Sequence, residues 1–157
     1  MRQAWGIRDL LEAAVREEQT GAAFYRKMAD LTDSGELADF AEEVAEMEDE
    51  HEAKFMQMLD KIEEGQDISG AGYNEMAYVA EGHIFPSGRD GANLAREAGD
   101  DDAMIEQAIQ LEQRTLLFYH DLKDFIVGEE PEQMLQEVID EERQHIVDWK
   151  KYQHEQA

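Results

Sequence analysis

The sequence predicts an all-α protein, a four-helix bundle of two helical hairpins that a long crossover joins. Apolar residues recur at alternating steps of four and three along four long segments, in which proline and glycine are rare. The sequence also repeats itself at an offset of 94 residues. We place the helices at about 7–31, 34–64, 101–127 and 131–155. The chain, 1–157, is expected to form a single domain, with hairpins at about 7–64 and 101–155.

The connections support two hairpins. A short turn around Asp33 joins the first pair of helices, and Asp33 with Glu36 fits a capping box for the second helix. The second pair is joined near Gly128, and Pro131 suits the first turn of the last helix. The crossover, about 65–100, is rich in glycine, and we expect two short helices in it, near 74–81 and 93–97.

The composition excludes several classes of protein. The chain has 39 acidic and 14 basic side chains, a net charge of −25, and no cysteine. It therefore has no disulfide framework, thiolate zinc site, iron–sulfur cluster or cysteine nucleophile. The negative balance argues against binding to nucleic acid or to an anionic membrane. No apolar run is long enough to span a bilayer, and we expect a cytoplasmic location because the N-terminus lacks the core of a signal peptide.

Each long helix carries an apolar seam of the kind that packs into a shared core, but the middle of every seam is polar. The repeat identifies the inward-facing polar residues, because 94 residues separate Glu18 from Glu112, Glu48 from Glu142, and His51 from His145. The repeat also shows which of two adjacent glutamates faces inward. Glu17 and Glu141 are excluded, because their counterparts are Leu111 and Met47. The selected set is Glu18, Glu48, His51, Glu112, Glu142 and His145.

Four carboxylates at the centre of a bundle predict bound metal. A charge removed from water without a partner costs several kcal/mol, and no lysine or arginine lies on the seams. Two divalent cations would neutralise all four carboxylates. Residues three apart on a helix share one face, so Glu48 with His51 and Glu142 with His145 each offer an oxygen and a nitrogen. Glu18 and Glu112 would complete the two shells, as in di-iron and di-manganese carboxylate bundles.

Two pairs of segments carry a resemblance to a known family. The stretch AVREEQTGAAFY (14–25) and its copy AIQLEQRTLLFY (108–119) resemble helices of rubrerythrin-type ferritin-like domains, as do MEDEH (47–51) and EERQH (141–145). The resemblance covers about 7–155, nearly the whole chain. It implies a ferritin-like fold and a di-iron site bridged by carboxylates, with peroxidase or ferroxidase chemistry.

The chain departs from that family in two respects. Full-length rubrerythrins carry a cysteine-ligated rubredoxin domain that supplies electrons, whereas this sequence contains no cysteine. The family also usually has a glutamate three residues after the third-helix ligand, where this chain has Thr115.

Several residues near the predicted ligands allow two interpretations each. Tyr25 and Tyr119 share a face with the ligand glutamates, so they either hydrogen-bond the ligand carboxylates or serve as core aromatics. Gly21 and Thr115 either leave room for dioxygen, peroxide or water or are incidental to packing. The remaining histidines have no partner at ligand spacing and are predicted to be surface residues: His83, His120 and His154.

The predicted function is that of a di-iron oxidoreductase that uses dioxygen or hydrogen peroxide, either as a ferroxidase acting on Fe(II) or as a peroxidase with a separate electron donor. Two iron ions are the expected cofactor. Manganese, a mixed iron–manganese pair or zinc stays open, because oxygen and nitrogen ligands suit all of them. The alternative is a non-enzymatic, metal-binding helical domain for storage, cargo or interaction. The resemblance also leads us to expect a homodimer or larger homo-oligomer.

Overall fold

The computed structural model describes residues 6–70, 78 and 90–156. It confirms the all-α fold. The helices are α1 (Ile7–Leu31), α2 (Gly35–Glu63), α3 (Gly91–Ala98), α4 (Asp101–Lys123) and α5 (Glu129–Gln156). The four long helices correspond to those predicted from the apolar seams, and α1–α2 and α4–α5 pack as the two hairpins.

The start of α2 differs from the predicted capping box. Ser34, not Asp33, is the N-cap residue, because its side-chain oxygen accepts a hydrogen bond from the backbone N–H of Leu37 at 3.2 Å. The prediction for Asp33 was therefore wrong by one residue. The hydroxyl of Ser34 satisfies one of the backbone donors that an α-helix leaves unpaired at its beginning.

The join between α4 and α5 is longer than predicted. α4 ends at Lys123 rather than near 127, because Phe125 and Val127 pair with the start of the crossover. The N–H of Gly70 donates to the carbonyl of Phe125 at 2.7 Å, and that of Val127 donates to Ile68 at 2.8 Å. α5 begins at Glu129, two residues before Pro131.

The crossover contributes the short helix α3, which was predicted near 93–97. The other predicted short helix, near 74–81, lies outside the described residues except for Tyr78. α3 packs against α1 at very short range, since a Cβ atom on Gly91 would lie 2.0 Å from the carbonyl oxygen of Thr20. Only glycine permits this approach.

A polar layer divides the core of the bundle into two apolar clusters. One cluster contains the first half of α1, from Leu10 to Val15, together with Phe55 and Phe118. The other contains the second half of α1, from Phe24 to Met28, with Trp149. Glu18 lies between the two halves of α1, so the predicted ligands occupy the middle of the bundle and apolar side chains cover them at both ends.

Within the described ranges, no helix combines the length and the apolar character that crossing a membrane requires.

Candidate metal centre

All six side chains of the predicted ligand set are buried and meet in the middle of the bundle. α1 supplies Glu18, and α4 supplies Glu112. The two remaining long helices each supply a glutamate and, one turn later, a histidine: Glu48 and His51 from α2, Glu142 and His145 from α5.

The six residues form two overlapping groups. Glu18, Glu48, His51 and Glu142 each offer one ligand atom to the first group, and Glu48, Glu112, Glu142 and His145 do so to the second. Within each group these atoms lie within 4.8 Å of one another. Glu48 and Glu142 belong to both groups. The arrangement therefore contains two adjacent places for a cation, with two carboxylates common to both.

The site contains polar atoms that the protein alone does not satisfy. Among the described residues, Oε2 of Glu18, Oε1 of Glu48, Oε2 of Glu142 and Nδ1 of His145 are buried without a hydrogen-bond partner. Leaving such an atom unpaired in the interior costs about 1–3 kcal/mol, and more for a charged group. Carboxylate oxygens and imidazole nitrogens are suitable donors for divalent iron, manganese or zinc. The residues present therefore fit a pair of metal ions.

The pKa values of the acids reflect their crowding. Burial and the neighbouring Glu142 together raise the pKa of Glu112 to about 8. Burial, with Glu142 and Glu18 nearby, holds the pKa of Glu48 well above its ordinary value. Burial alone would also raise the pKa of Glu18, but contacts with Glu48 and His51 outweigh it and lower the pKa. In the metal-free protein, protons therefore neutralise part of the carboxylate charge.

The histidines respond to the same surroundings in the opposite direction. Burial alone would lower the pKa of His51, but Glu142 and Glu18 raise it to about 11. In the same way, Glu112 and Glu142 overcome burial and raise the pKa of His145 to about 10. The Nδ1 atom of each ring faces the carboxylates: His51 Nδ1 lies 2.9 Å from Glu142, and His145 Nδ1 lies 3.4 Å from Glu142.

Two tyrosines each donate a hydrogen bond to a site glutamate on the opposite helix. The hydroxyl of Tyr25 on α1 donates a 2.5 Å hydrogen bond to Glu112 on α4. The hydroxyl of Tyr119 on α4 donates a 2.5 Å hydrogen bond to Glu18 on α1. Both rings are also part of the apolar core. The two interpretations that the sequence left open thus both describe these residues.

The rubrerythrin family model matches residues 9–152 of the chain. The chain belongs to the rubrerythrin family. A solved structure from Thermotoga maritima, described as a ferritin-like diiron-carboxylate protein, is also similar, with a TM-score of 0.76 and 21% identity over the whole of both chains. At this identity the likeness shows the fold, which is ferritin-like. A comparison with curated proteins finds no match.

This member of the family has different groups behind its two site histidines. Nε2 of His51 lies 2.5 Å from Oε2 of Glu141, whose other oxygen lies 3.9 Å from the ammonium of Lys54. Nε2 of His145 instead lies 3.3 Å from Sδ of Met47. Glu141 was not predicted to be a ligand, because its counterpart in the repeat is Met47. The offset of 94 residues pairs Met47 with Glu141 just as it pairs His51 with His145. The sequence could therefore have predicted equivalent positions beside the histidines for these two residues.

A small cleft reaches the site between α1 and α4. Its volume is about 10 Å³, about what one water molecule needs, and Gly21, Thr115, Glu48 and Glu112 line it. The hydroxyl of Thr115, where the family usually has a glutamate, donates to the carbonyl of Leu111 at 2.9 Å. A Cβ atom on Gly21 would lie 2.8 Å from Oε2 of Glu48. Both small residues therefore leave space beside the carboxylates.

The other histidines lie away from the site. His120 and His154 are exposed, as predicted, and His120 lies 3.4 Å from Arg143. His83 lies outside the described residues.

Proposed function

We propose that the chain is a di-iron oxidoreductase in which Glu18, Glu48, His51, Glu112, Glu142 and His145 bind two iron ions. The observation that carries the proposal is the overlap of two buried ligand groups at Glu48 and Glu142. A structural site for one metal would need only one such group. Four carboxylates also balance the charge of two divalent ions, which explains why so much acid is buried in one layer.

Bound iron would supply the two electrons that hydrogen peroxide takes on reduction to water, or that dioxygen takes on reduction to peroxide. The role of the protein is to hold the ligands in place and to exclude bulk water. The hydroxyls of Tyr25 and Tyr119 fix the orientation of Glu112 and Glu18. The two apolar clusters cover the site from both ends of the bundle.

The cleft beside Gly21 and Thr115 is the proposed path for the oxidant. It ends at Glu48 and Glu112, one carboxylate common to both groups and one specific to the second group. Because it has room for about one water molecule, it favours dioxygen or hydrogen peroxide over larger oxidants. The substrates we propose are therefore one of these oxidants and either Fe(II) or a separate electron donor.

Two measurements on anaerobically prepared protein test this proposal. Metal analysis should find two iron ions per chain. Stopped-flow mixing with dioxygen or with hydrogen peroxide should then oxidise the bound iron faster than Fe(II) free in the same buffer. We expect a difference of at least about tenfold, equivalent to about 1.4 kcal/mol of activation free energy. The oxidant that gives the larger acceleration distinguishes ferroxidase from peroxidase activity.

A matched pair of variants on α2 controls the site assignment. Glu48→Gln keeps the size of the side chain but removes a charge common to both groups, so two-metal occupancy should be lost. Glu50→Gln makes the same change on the exposed face of the helix and should leave occupancy intact. Full occupancy in Glu48→Gln would refute the proposed ligands. If neither oxidant reacts faster than free iron in buffer, the centre is the non-enzymatic metal site that we considered as the alternative.

Iron is our proposal for the native metal, and the same anaerobic metal analysis distinguishes it from manganese, a mixed pair or zinc. The expected homodimer or larger homo-oligomer stays a prediction, which sedimentation equilibrium tests.

A further inference from the structure

Aromatic side chains continue from the candidate metal centre toward one end of the bundle. Tyr25 hydrogen-bonds the site residue Glu112 through its hydroxyl, and its ring stacks on Trp149 with a centroid distance of 5.6 Å and an interplanar angle of 9°. Trp149 is fully buried. Its ring is next to that of Tyr152, at a centroid distance of 6.4 Å.

Tyr152 brings this row of rings to the protein surface. It is half-buried, and with Phe40 it borders a surface groove whose other residues are charged. Three of them are acidic, Glu36, Asp148 and Glu155, and one is basic, Lys151. Three oxidisable side chains in van der Waals range therefore connect the site with an acidic patch of surface. We call Tyr25, Trp149 and Tyr152 the aromatic row.

Within residues 6–70 and 90–156, the other half of the bundle has no such row. The repeat offset of 94 residues pairs Trp149 with Phe55, and Tyr152 with Met58. Tyr119, the counterpart of Tyr25, contacts Phe55 at a centroid distance of 5.0 Å. A phenylalanine ring is much harder to oxidise than an indole or a phenol, and Met58 is fully buried. Among the residues that the structure describes, an oxidisable connection to the surface thus exists on one side of the site and not on the equivalent side.

We propose that the aromatic row is a one-electron relay, through which a reductant at the surface beside Tyr152 re-reduces the metal centre. This inference rests on the proposed function, since it needs a redox-active metal pair. The reductant is an outer-sphere, one-electron donor of positive charge. Acidic residues around the groove and a net charge of −25 favour its approach over that of an anionic donor.

The electrons of each transfer balance without a radical on the row. One electron leaves the reductant beside Tyr152 and tunnels to the metal centre across the rings of Tyr152, Trp149 and Tyr25, whose successive centroids lie 6.4 and 5.6 Å apart. Tyr25 keeps its proton in the 2.5 Å hydrogen bond to Glu112. Two transfers would supply the two electrons that return two Fe(III) to Fe(II), and two molecules of the donor would be oxidised.

The first test measures re-reduction directly. Iron-loaded protein is oxidised with one equivalent of hydrogen peroxide and mixed with reduced methyl viologen, a cationic one-electron donor whose colour reports its oxidation. Trp149→Phe places at this position the residue that the other half of the bundle uses. We expect it to slow re-reduction at least about tenfold, equivalent to about 1.4 kcal/mol. Higher salt should slow the wild-type reaction, because salt screens the attraction between donor and protein.

Phe55→Leu is the matched control, since it shrinks a fully buried aromatic residue at the equivalent position outside the row. It should leave the rate of re-reduction within about twofold of wild type, a change of less than about 0.5 kcal/mol. Equal iron content in both variants shows that the site is intact. Trp149→Phe protein that holds two irons and is re-reduced at the wild-type rate would overturn the relay.

The second test uses metal-free protein and does not depend on iron chemistry. Photogenerated tris(bipyridine)ruthenium(III), a cationic one-electron oxidant, is applied to a Trp5→Phe background, in which Trp149 is the remaining tryptophan. We expect an electron paramagnetic resonance signal from a Trp149 radical that weakens several-fold in Tyr152→Phe. Tyr78→Phe, at an exposed tyrosine outside the row, should not change the signal. A Trp149 signal that is insensitive to Tyr152→Phe would overturn the relay.

The two tests separate the two hypotheses. If wild-type protein fails to bind iron or to react with either oxidant, the proposed function fails, while the metal-free experiment still reports on the row. If wild-type protein is oxidised and re-reduced but neither measurement responds to the row, the relay alone is refuted.

Discussion

Loading the candidate centre with two divalent cations at neutral pH should release at least about three protons, because metal ligands must be deprotonated to bind. Three groups of the site hold protons at pH 7 in the metal-free protein: His51, His145 and Glu112. The pKa of His51 is raised to about 11, that of His145 to about 10 and that of Glu112 to about 8. Burial and the neighbouring Glu142 also hold the pKa of Glu48 well above its ordinary value, so any proton on Glu48 adds to this number. Two divalent ions thus replace at least about three protons.

Isothermal titration with Zn(II) measures this number without redox chemistry. The heat of binding is determined in two buffers of different ionisation enthalpy at the same pH, and the difference gives the protons released. We expect at least about three protons for the two metal ions together, so the product of the two apparent affinities should rise about a thousandfold or more per pH unit near neutrality. Glu50→Gln should release the same number, since this residue is exposed. Release of fewer than one proton per metal would refute the assignment of these residues as ligands.

The same protons predict how the stability of the metal-free protein depends on pH. A folded-state pKa of His51 and His145 above 6.5 stabilises the fold below pH 6.5, and this contribution is lost as the pH rises toward 10–11. The raised pKa of Glu112 has no effect below pH 4.5 but destabilises the fold increasingly up to about pH 8. That change corresponds to at most about 5 kcal/mol.

Both effects therefore lower the free energy of unfolding of metal-free protein between about pH 5 and 10. Urea denaturation at a series of pH values measures the trend, with zinc-loaded protein as the comparison. Loaded protein should gain stability relative to metal-free protein as the pH rises, since its affinity for metal increases. A metal-free protein whose stability increases from pH 5 to 8 would contradict the protonation states on which the proton count depends.

Three substitutions give further predictions. Gly21→Ala places a Cβ atom 2.8 Å from Oε2 of Glu48 and fills the cleft. The overpacking costs about 1–3 kcal/mol, so the affinity for metal should fall about tenfold. An unchanged affinity in the zinc titration would refute this. Glu141→Leu removes the carboxylate 2.5 Å from Nε2 of His51 and should weaken one of the two metal-binding steps about 10–100-fold. Equal weakening of both steps would contradict the assignment of His51 to only one of the two ligand groups. Tyr119→Phe removes a hydrogen bond to the buried carboxylate of Glu18 and should lower the free energy of unfolding of the metal-free protein by about 1.5–3 kcal/mol in urea denaturation. A smaller loss would mean that the hydroxyl does not stabilise the charged form of this carboxylate.

The sequence was sufficient to predict the four long helices and the six converging side chains, because both depend on local periodicity and on the repeat. Apolar spacing along one helix already determines which face is buried. It was not sufficient for the end of α4, where Phe125 and Val127 leave the helix to pair with residues of the crossover. That pairing joins segments more than fifty residues apart, and helix periodicity contains no information about it.

The crosswise bonds of Tyr25 and Tyr119 were out of reach for a related reason. The seam placed each tyrosine on the same face as a glutamate of its own helix, yet each hydroxyl bonds a glutamate of another helix. Which carboxylate a tyrosine reaches depends on how α1 and α4 are positioned against each other, and a repeat within the chain does not fix that geometry. The sequence could therefore name the partners of the site but not their pairing.

The repeat is also useful once the structure is known, because the positions that break it show where the two helical hairpins differ. All six predicted ligands follow the repeat. Three of the pairs that break it lie beside the site: Gly21 against Thr115 at the cleft, Met47 against Glu141 behind the histidines, and Phe55 against Trp149 in the aromatic core. A bundle that only stored metal would have no need of such differences between its halves. The proposed redox centre does, since an oxidant must enter and electrons must arrive by different routes, and two of these pairs, at the cleft and in the aromatic core, lie on the proposed routes.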